Sequence, residues 1–340
     1  MTHYLLRNEN AVYYECGFSC DNEIFFKSGD EAWFITDPRY TEEAKTSVRN
    51  AEVVEAQDLT KALRALLRKK RIRKLWYDPG EWSVADFKKI SEKLTIHLAP
   101  KADFSKQKRI IKREDEIKLL KSAVTEGARA FERFADFLRQ KGEGLSEARL
   151  FFEASLLLQD EGAYSLSFEP IVALNENASK PHALPTEKSL KRGDLILVDA
   201  GIKEKRYCSD RTRTAEFTAE INFSKAQRFS DPKRQKIYDL VRKAQETAIG
   251  AIRPGITAKE IDHAAREVIE RGGYGQYFVH STGHGVGLDI HELPVISKRS
   301  ETVIEENMVF TIEPGIYLPG EFGVRIEDMV RVTADGAEVL

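Results

Sequence analysis

A chain of 340 residues is long enough for two domains of ordinary size. With 41% hydrophobic and 32% charged residues it has the make-up of a folded globular protein and not of a disordered or fibrous one. A formal net charge of -2 excludes the broad basic surface that nucleic-acid binding requires, and no run of ~18 apolar residues is present to span a membrane. The stretch from Met1 to Asn10 lacks a basic region followed by an apolar one, so a cytoplasmic protein is expected. Cys16, Cys20 and Cys208 are too few, and odd in number, for a disulfide framework, and are expected to be reduced thiols.

Residues 1–112 alternate β-rich and helical stretches. Ala32-Trp-Phe-Ile-Thr36 predicts a strand ended by Asp37-Pro38, and Leu75-Trp-Tyr77 another ended by Asp78-Pro-Gly80. Helices are expected over Thr41 to Val48 and Leu59 to Lys69. The basic run Arg68 to Lys74 joins the second of these to an apolar strand, which makes it a solvated turn. No Gly-rich phosphate loop, catalytic triad or metal-type cluster occurs here, so a small α/β domain with a structural or dimerising role is expected. The polar stretches Ser105 to Arg109 and Lys112 to Glu116 mark the boundary, leaving 113–340 as a second domain.

In that second domain Ile117, Leu120, Val124, Phe131, Phe134 and Leu138 recur at helical spacing, and a further helix follows Ser146 through Leu158. Asp231-Pro232 is an N-cap with proline at the first helical position. Thr257-x-x-Glu260 is a capping box whose helix stops at Gly272 and Gly273. The pattern of two helices, then Gly162-x-Tyr164-x-x-x-Phe168, is echoed by two helices, then Gly272-x-Tyr274-x-x-x-Phe278. In the first copy the apolar strand Leu195 to Val198 ends in Asp199-Ala-Gly201, with Asp210 following. In the second, Met308 to Ile312 ends in Glu313-Pro-Gly315, with Glu327 following on a strand from Val324 to Val330. Glu220 to Arg234 is a long polar connection between the copies.

An acid at the end of an apolar strand is costly unless something neutralises it, and four such acids together call for divalent cations. Three of the seven histidines, His280, His284 and His291, fall in one short segment interleaved with Gly283, Gly285 and Gly287. Those glycines forbid a stable helix and predict a loop or strand entry where backbone comes close to something else.

Asp199-x-Gly, Tyr207-Cys-Ser-Asp210-Arg-Thr-Arg-Thr214, the histidine segment, Thr311-Ile-Glu-Pro-Gly315 and Val324-Arg-Ile-Glu-Asp328 together resemble the motifs of the methionine aminopeptidase, aminopeptidase P and prolidase family. More weakly, residues 1–112, including Ile35-Thr-Asp-Pro-Arg-Tyr40, are similar to the amino-terminal domain of its proline-specific branch. The resemblance implies an α+β chain: a pita-bread (creatinase/aminopeptidase) fold over 113–340 with a smaller α/β amino-terminal domain. It implies two divalent metal ions, Mn2+ or Co2+, held by Asp199, Asp210, His284, Glu313 and Glu327. In this scheme Asp210 and Glu327 bridge both, Asp199 chelates one, and His284 with Glu313 holds the other. Four carboxylates and an imidazole suit such ions better than a thiolate-rich site would.

By the same resemblance Glu313 shuttles a proton, His291 stabilises the oxyanion, His280 lines a proline pocket, and His182 contacts substrate. Arg325 orients a ligand carboxylate or substrate, and Tyr207 and Thr212 donate to the ligands. The implied activity is hydrolysis of Xaa-Pro bonds in proline-containing peptides by a homodimer, aminopeptidase P-like, with prolidase as the alternative. Val295 favours the former, because prolidases of this family frequently carry an arginine just after the His-Glu-x-Pro segment. A catalytically inactive peptide-binding relative, or a metal-free creatinase-like hydrolase, is opposed by the intact ligand set. Strand alternation puts Cys208 on the face of Asp210, so either a thiol near the metals or a core thiol is open.

Overall fold

The computed structural model describes residues 3–92 and 94–340. The chain divides into two compact units, Met1–Lys108 and Arg109–Leu340. Among the described residues no helix is long and apolar enough to cross a membrane.

The first unit is a six-stranded mixed sheet in the order Glu52–Glu55, Glu31–Thr36, Glu23–Ser28, His3–Leu6, Lys74–Tyr77, His97–Pro100. Its centre is antiparallel and its flanks are parallel. Ile24, Phe26 and Ile35 pack with Leu63 and Leu67 of helix Leu59–Lys69, while Phe25 and Phe34 pack on the other face with Val12 and Ala44. Because both faces are covered, the middles of the central strands are continuous apolar runs, such as Ile24-Phe-Phe26 and Trp33-Phe-Ile35, and lack the alternation that betrays a half-exposed strand. His3–Leu6 and Glu23–Ser28 escaped the sequence reading because no Asp-Pro follows them, whereas Glu31–Thr36, Lys74–Tyr77 and helices Thr41–Ser47 and Leu59–Lys69 were legible from their punctuation. The basic run is a turn from which Ile72 alone reaches the core.

The second unit repeats one plan. Helices Glu114–Phe137 and Glu147–Gln159 cover a three-stranded antiparallel sheet of Ile171–Leu174, Leu195–Ala200 and Arg211–Glu216. Helices Pro232–Ala251 and Ala258–Arg271 cover a five-stranded one built from Glu292–Ile296, Gly283–Gly285, Val309–Ile312, Asp328–Val332 and Ala337–Val339. The caps fall where the sequence places them: Asp231 accepts from Lys233 N at 2.7 Å, and Thr257 N donates to Glu260 at 2.7 Å. Ile196 and Val198 face Phe131, Phe134 and Leu150, while Leu195 and Leu197 face Tyr238 and Val241, so one strand serves both cores.

Three details depart from the sequence expectations. Ser105 to Arg109, read as a polar stretch at the boundary, belongs to a helix, Phe104–Arg109, and Arg109 is buried. Glu327 does not sit inside one strand: Phe322–Arg325 pairs with Gly315–Leu318, Asp328–Val332 pairs with Val309–Ile312, and Ile326 and Glu327 lie between. The break exists because Glu327 N turns aside to donate to Thr212 O of the other half at 3.1 Å. The segment from Glu220 to Arg234 is anchored, with Ile221, Phe223 and Phe229 buried and Phe223 against Phe131 and Phe134.

Candidate metal centre

Each half delivers two acids from the end of an antiparallel ladder. Asp199 stands opposite Thr212 in register, and Asp210 immediately precedes the strand that carries Thr212. Ile312 stands opposite Asp328, so Glu313 and Glu327 leave the same end of their ladder. His284 arrives on Gly283–Gly285, a strand pressed between two neighbours. A Cβ at Gly283 would lie 1.9 Å from Thr311 O, and one at Gly285 2.1 Å from Leu293 O. Any side chain there would force the strands apart and carry His284 away from the acids.

Asp210, His284 and Glu327 offer ligand atoms that all lie within 4.8 Å of one another. His284 Nε2 is 3.6 Å from Asp210 Oδ2 and 3.4 Å from Glu313 Oε1. Its Nδ1 donates to Gly285 O at 3.1 Å, and burial lowers its pKa, so the neutral ring presents the Nε2 lone pair to those oxygens. A lone pair facing two carboxylates is repulsive until a cation lies between them. Asp199 Oδ2 accepts from Arg325 at 2.6 Å, while its buried Oδ1 has no hydrogen-bond partner among the described residues. Burial first, and then the neighbouring acids, push Asp210 and Glu327 well above the usual carboxylate range. Glu313 is raised too, chiefly by burial, against the pull of His280 and Arg325. Orphaned oxygen, exposed lone pair and crowded acids all fit divalent cations, which would reverse each of these costs.

The acids are held from behind. Thr212 Oγ1 donates to Glu327 Oε2 at 2.6 Å and accepts from Arg325 Nε at 3.0 Å. Arg325, buried, further donates to Tyr317 OH at 2.8 Å and Pro181 O at 3.2 Å. Arg325 thereby fixes the orientation of the Asp199 carboxylate. Burial opposes its charge, but Tyr317, Asp199, Glu313 and Glu327 outweigh that and raise its pKa. On the far side Asp328 accepts from Arg213 at 2.5 Å and from Gln245 at 2.9 Å, and also pairs with Lys225 from the long connection.

His280 Nδ1 lies 2.7 Å from Ser281 O, which can only accept, so Nδ1 carries the proton. Its Nε2 then accepts from Tyr317 OH at 2.8 Å, and burial keeps the ring neutral by lowering its pKa. Tyr317 was missed in the sequence. The signal lay in Gly315: a Cβ there would come within 2.6 Å of the Tyr317 hydroxyl, so the glycine of Glu313-Pro-Gly315 makes room for it.

His291 is exposed, with its ring centroid 4.4 Å from that of His284. His182 is exposed on the loop whose Pro181 O receives Arg325. Tyr207 donates to Glu116 of the long helix at 3.1 Å. Cys208 turns into the core, its Sγ toward Leu288 O at 3.6 Å. The alternation argument fails because Tyr207–Cys208 ends as a strand at 208, and Ser209 N bends back to Ile202 O at 2.7 Å.

The chain matches Metallopeptidase family M24 over residues 118–334 and the Creatinase/Prolidase N-terminal domain over residues 2–117. It is similar to a Xaa-Pro dipeptidase of Pyrococcus furiosus, 40% identical over 258 residues, covering 76% of this chain and 67% of that one. A Xaa-Pro dipeptidase from Bacillus anthracis superimposes with a TM-score of 0.91 at 36% identity, covering 99% of this chain and 92% of that one. An X-Pro aminopeptidase from Thermotoga maritima does so with a TM-score of 0.88 at 33% identity, covering 100% and 95%. With its crowded acids, its histidine and its paired halves in the pita-bread arrangement, the chain belongs to metallopeptidase family M24 and is a metal-dependent hydrolase.

Proposed function

We propose that this hydrolase is a Xaa-Pro dipeptidase that works with two divalent cations held by Asp199, Asp210, His284, Glu313 and Glu327. The observations that support the reading are the likeness, along nearly the whole chain, to a Xaa-Pro dipeptidase, and the grouping of Asp210, His284 and Glu327 with Glu313 3.4 Å from His284. These relatives favour the dipeptidase over the aminopeptidase P-like activity expected from the sequence. The donor set favours Mn2+ or Co2+. Bound there, divalent cations neutralise the acids, polarise a carbonyl and make water acidic enough to attack near neutral pH.

The chain's own groups do the rest. Glu313 holds its Oε1 against Thr311 Oγ1 at 3.2 Å, which leaves Oε2 to take a proton and pass it to the departing proline nitrogen. His291 supplies an N–H to the oxygen that gains charge. Both nitrogens of His280 are engaged, so it meets a proline ring with its carbon face, held in place by Tyr317.

Val295 supports a second reading, in which peptides longer than two residues are also cleaved. It lies cross-strand from His284, is 41% exposed, and has no charge to pair with a dipeptide's carboxylate. The test is a comparison of kcat/KM for a Xaa-Pro dipeptide, its Xaa-Pro-Yaa extension and a Xaa-Ala-Yaa control. Cleavage confined to the dipeptide supports the dipeptidase, and comparable rates for the extension support the second reading. Preference for the alanine control contradicts both.

A further inference from the structure

The geometry points to Arg109 and Lys112, at the start of the second unit, as positioning residues that hold the His291 loop in its working place. Both cations pair with acids other than those of the metal centre. Arg109 donates to Asp289 Oδ2 at 2.5 Å and lies 3.5 Å from Glu292 Oε1, while Lys112 Nζ lies 2.7 Å from Glu292 Oε2. Lys112 Nζ also donates to Arg109 O at 2.5 Å, which ties the two cations into one unit. Arg109, Lys112 and Glu292 are each no more than 3% exposed.

The two acids flank the exposed ring that matters. Asp289 and Glu292 stand on either side of Ile290 and His291, and Asp289 N closes the pair by donating to Glu292 Oε1 at 3.2 Å. Residues 287–291 form bends outside any strand; backbone bonds pin the start of the loop, Val286 N to Val309 O at 3.2 Å and Cys208 N to Gly287 O at 2.8 Å, so the braced part is the stretch from Asp289 to Glu292. A Cβ at Gly287 would lie 2.5 Å from Glu292 Oε2, so that glycine leaves room for the buried carboxylate. The cations are themselves fixed, since Lys112 N donates to Asn307 O at 2.9 Å and Ile111 bridges to Met308. The result is a brace reaching from residues 109–112 to the loop that sets His291 beside His284. A displacement of about 1 Å in such a group is enough to cost a large part of the rate.

This inference rests on the proposed role of His291 as a donor to substrate, and a double-mutant cycle separates the two. Lys112→Met, Asp289→Asn and His291→Ala are made singly, and each of the first two is combined with the third, all as metal-loaded enzyme. In the otherwise native chain, Lys112→Met and Asp289→Asn are expected to lower kcat roughly tenfold with metal content and KM little changed. In the His291→Ala background they are expected to lower it less than about twofold, because the group they position is gone. Lys112→Arg is expected to recover most of the loss, and hydrogen exchange in residues 289–292 is expected to quicken in Lys112→Met. Should Lys112→Met fail to fold, the Asp289→Asn cycle decides alone, its carboxylate being only part-buried. Equal losses in both backgrounds overturn the brace while leaving His291 in its role. A fully active His291→Ala overturns that role instead.

Discussion

Replacing Tyr317 by phenylalanine removes one oxygen and no packing volume, so its effect isolates the hydroxyl that joins His280 to Arg325. Burial pushes the tyrosine pKa up to about 12, which keeps the hydroxyl protonated and able to donate at neutral pH. In Tyr317→Phe, His280 Nε2 loses its donor and Arg325 Nη1 loses an acceptor at 2.8 Å, though Nη1 keeps Pro181 O at 3.2 Å. A buried polar group left without a partner costs ~1–3 kcal/mol, so two partial losses amount to roughly 2–4 kcal/mol. The rate should also fall by about tenfold, because the ring of His280 is then held through Nδ1 alone and Asp199 is held by a looser arginine. Urea unfolding of the metal-loaded protein, with kcat measured on the same samples, reads both quantities. A stability change below about 0.5 kcal/mol together with an unaltered kcat would refute the reasoning, since it would mean the hydroxyl bridges nothing of consequence.

Glu313→Gln should leave the circular dichroism spectrum unchanged and lower kcat by ~100-fold or more; a variant within about threefold of the native rate shows that Glu313 is misassigned. The raised native pKa values of Asp210, Glu313 and Glu327 carry a sign. Stability from these groups is fully present below the ordinary carboxylate range, near ~4, and is lost as pH rises toward their native values. The gap in Tm between metal-loaded and metal-stripped protein should therefore widen from about pH 5 to pH 8, and a gap independent of pH contradicts the crowding of these acids. Cys208 is buried and its thiol is pushed up to about 11, first by burial, so iodoacetamide at about pH 7.5 should leave activity intact in both the native chain and Cys208→Ser. Inactivation of the native chain alone would place the thiol at the metal centre.

What the sequence made legible was whatever leaves a local signature. Asp199 and Glu313 were visible because an acid and a glycine close an apolar strand, and His284 because Gly283 and Gly285 mark backbone so close that a Cβ would collide. Helix starts at Ser146, Asp231 and Thr257 were visible because caps are short-range chemistry. The losses share a cause in contacts between distant residues. Glu327 leaves its strand because Thr212 O, in the other half, takes its N–H. Cys208 misled because alternation holds only while a strand continues, and the fold-back at Ser209 ends it. Tyr317 has no motif of its own; its role appears only where Arg325 and His280 meet it. Arg109 and Lys112 read only as boundary polarity because their acids, Asp289 and Glu292, are far along the chain.

Metal content measured alongside activity tests the central claim most directly. Protein stripped with a chelator and titrated with Mn2+ should bind about two ions per chain, as a two-metal site requires, with Xaa-Pro hydrolysis absent before the titration and returning as the ions bind. Full hydrolysis by the stripped protein, or saturation without any gain in activity, would contradict the account.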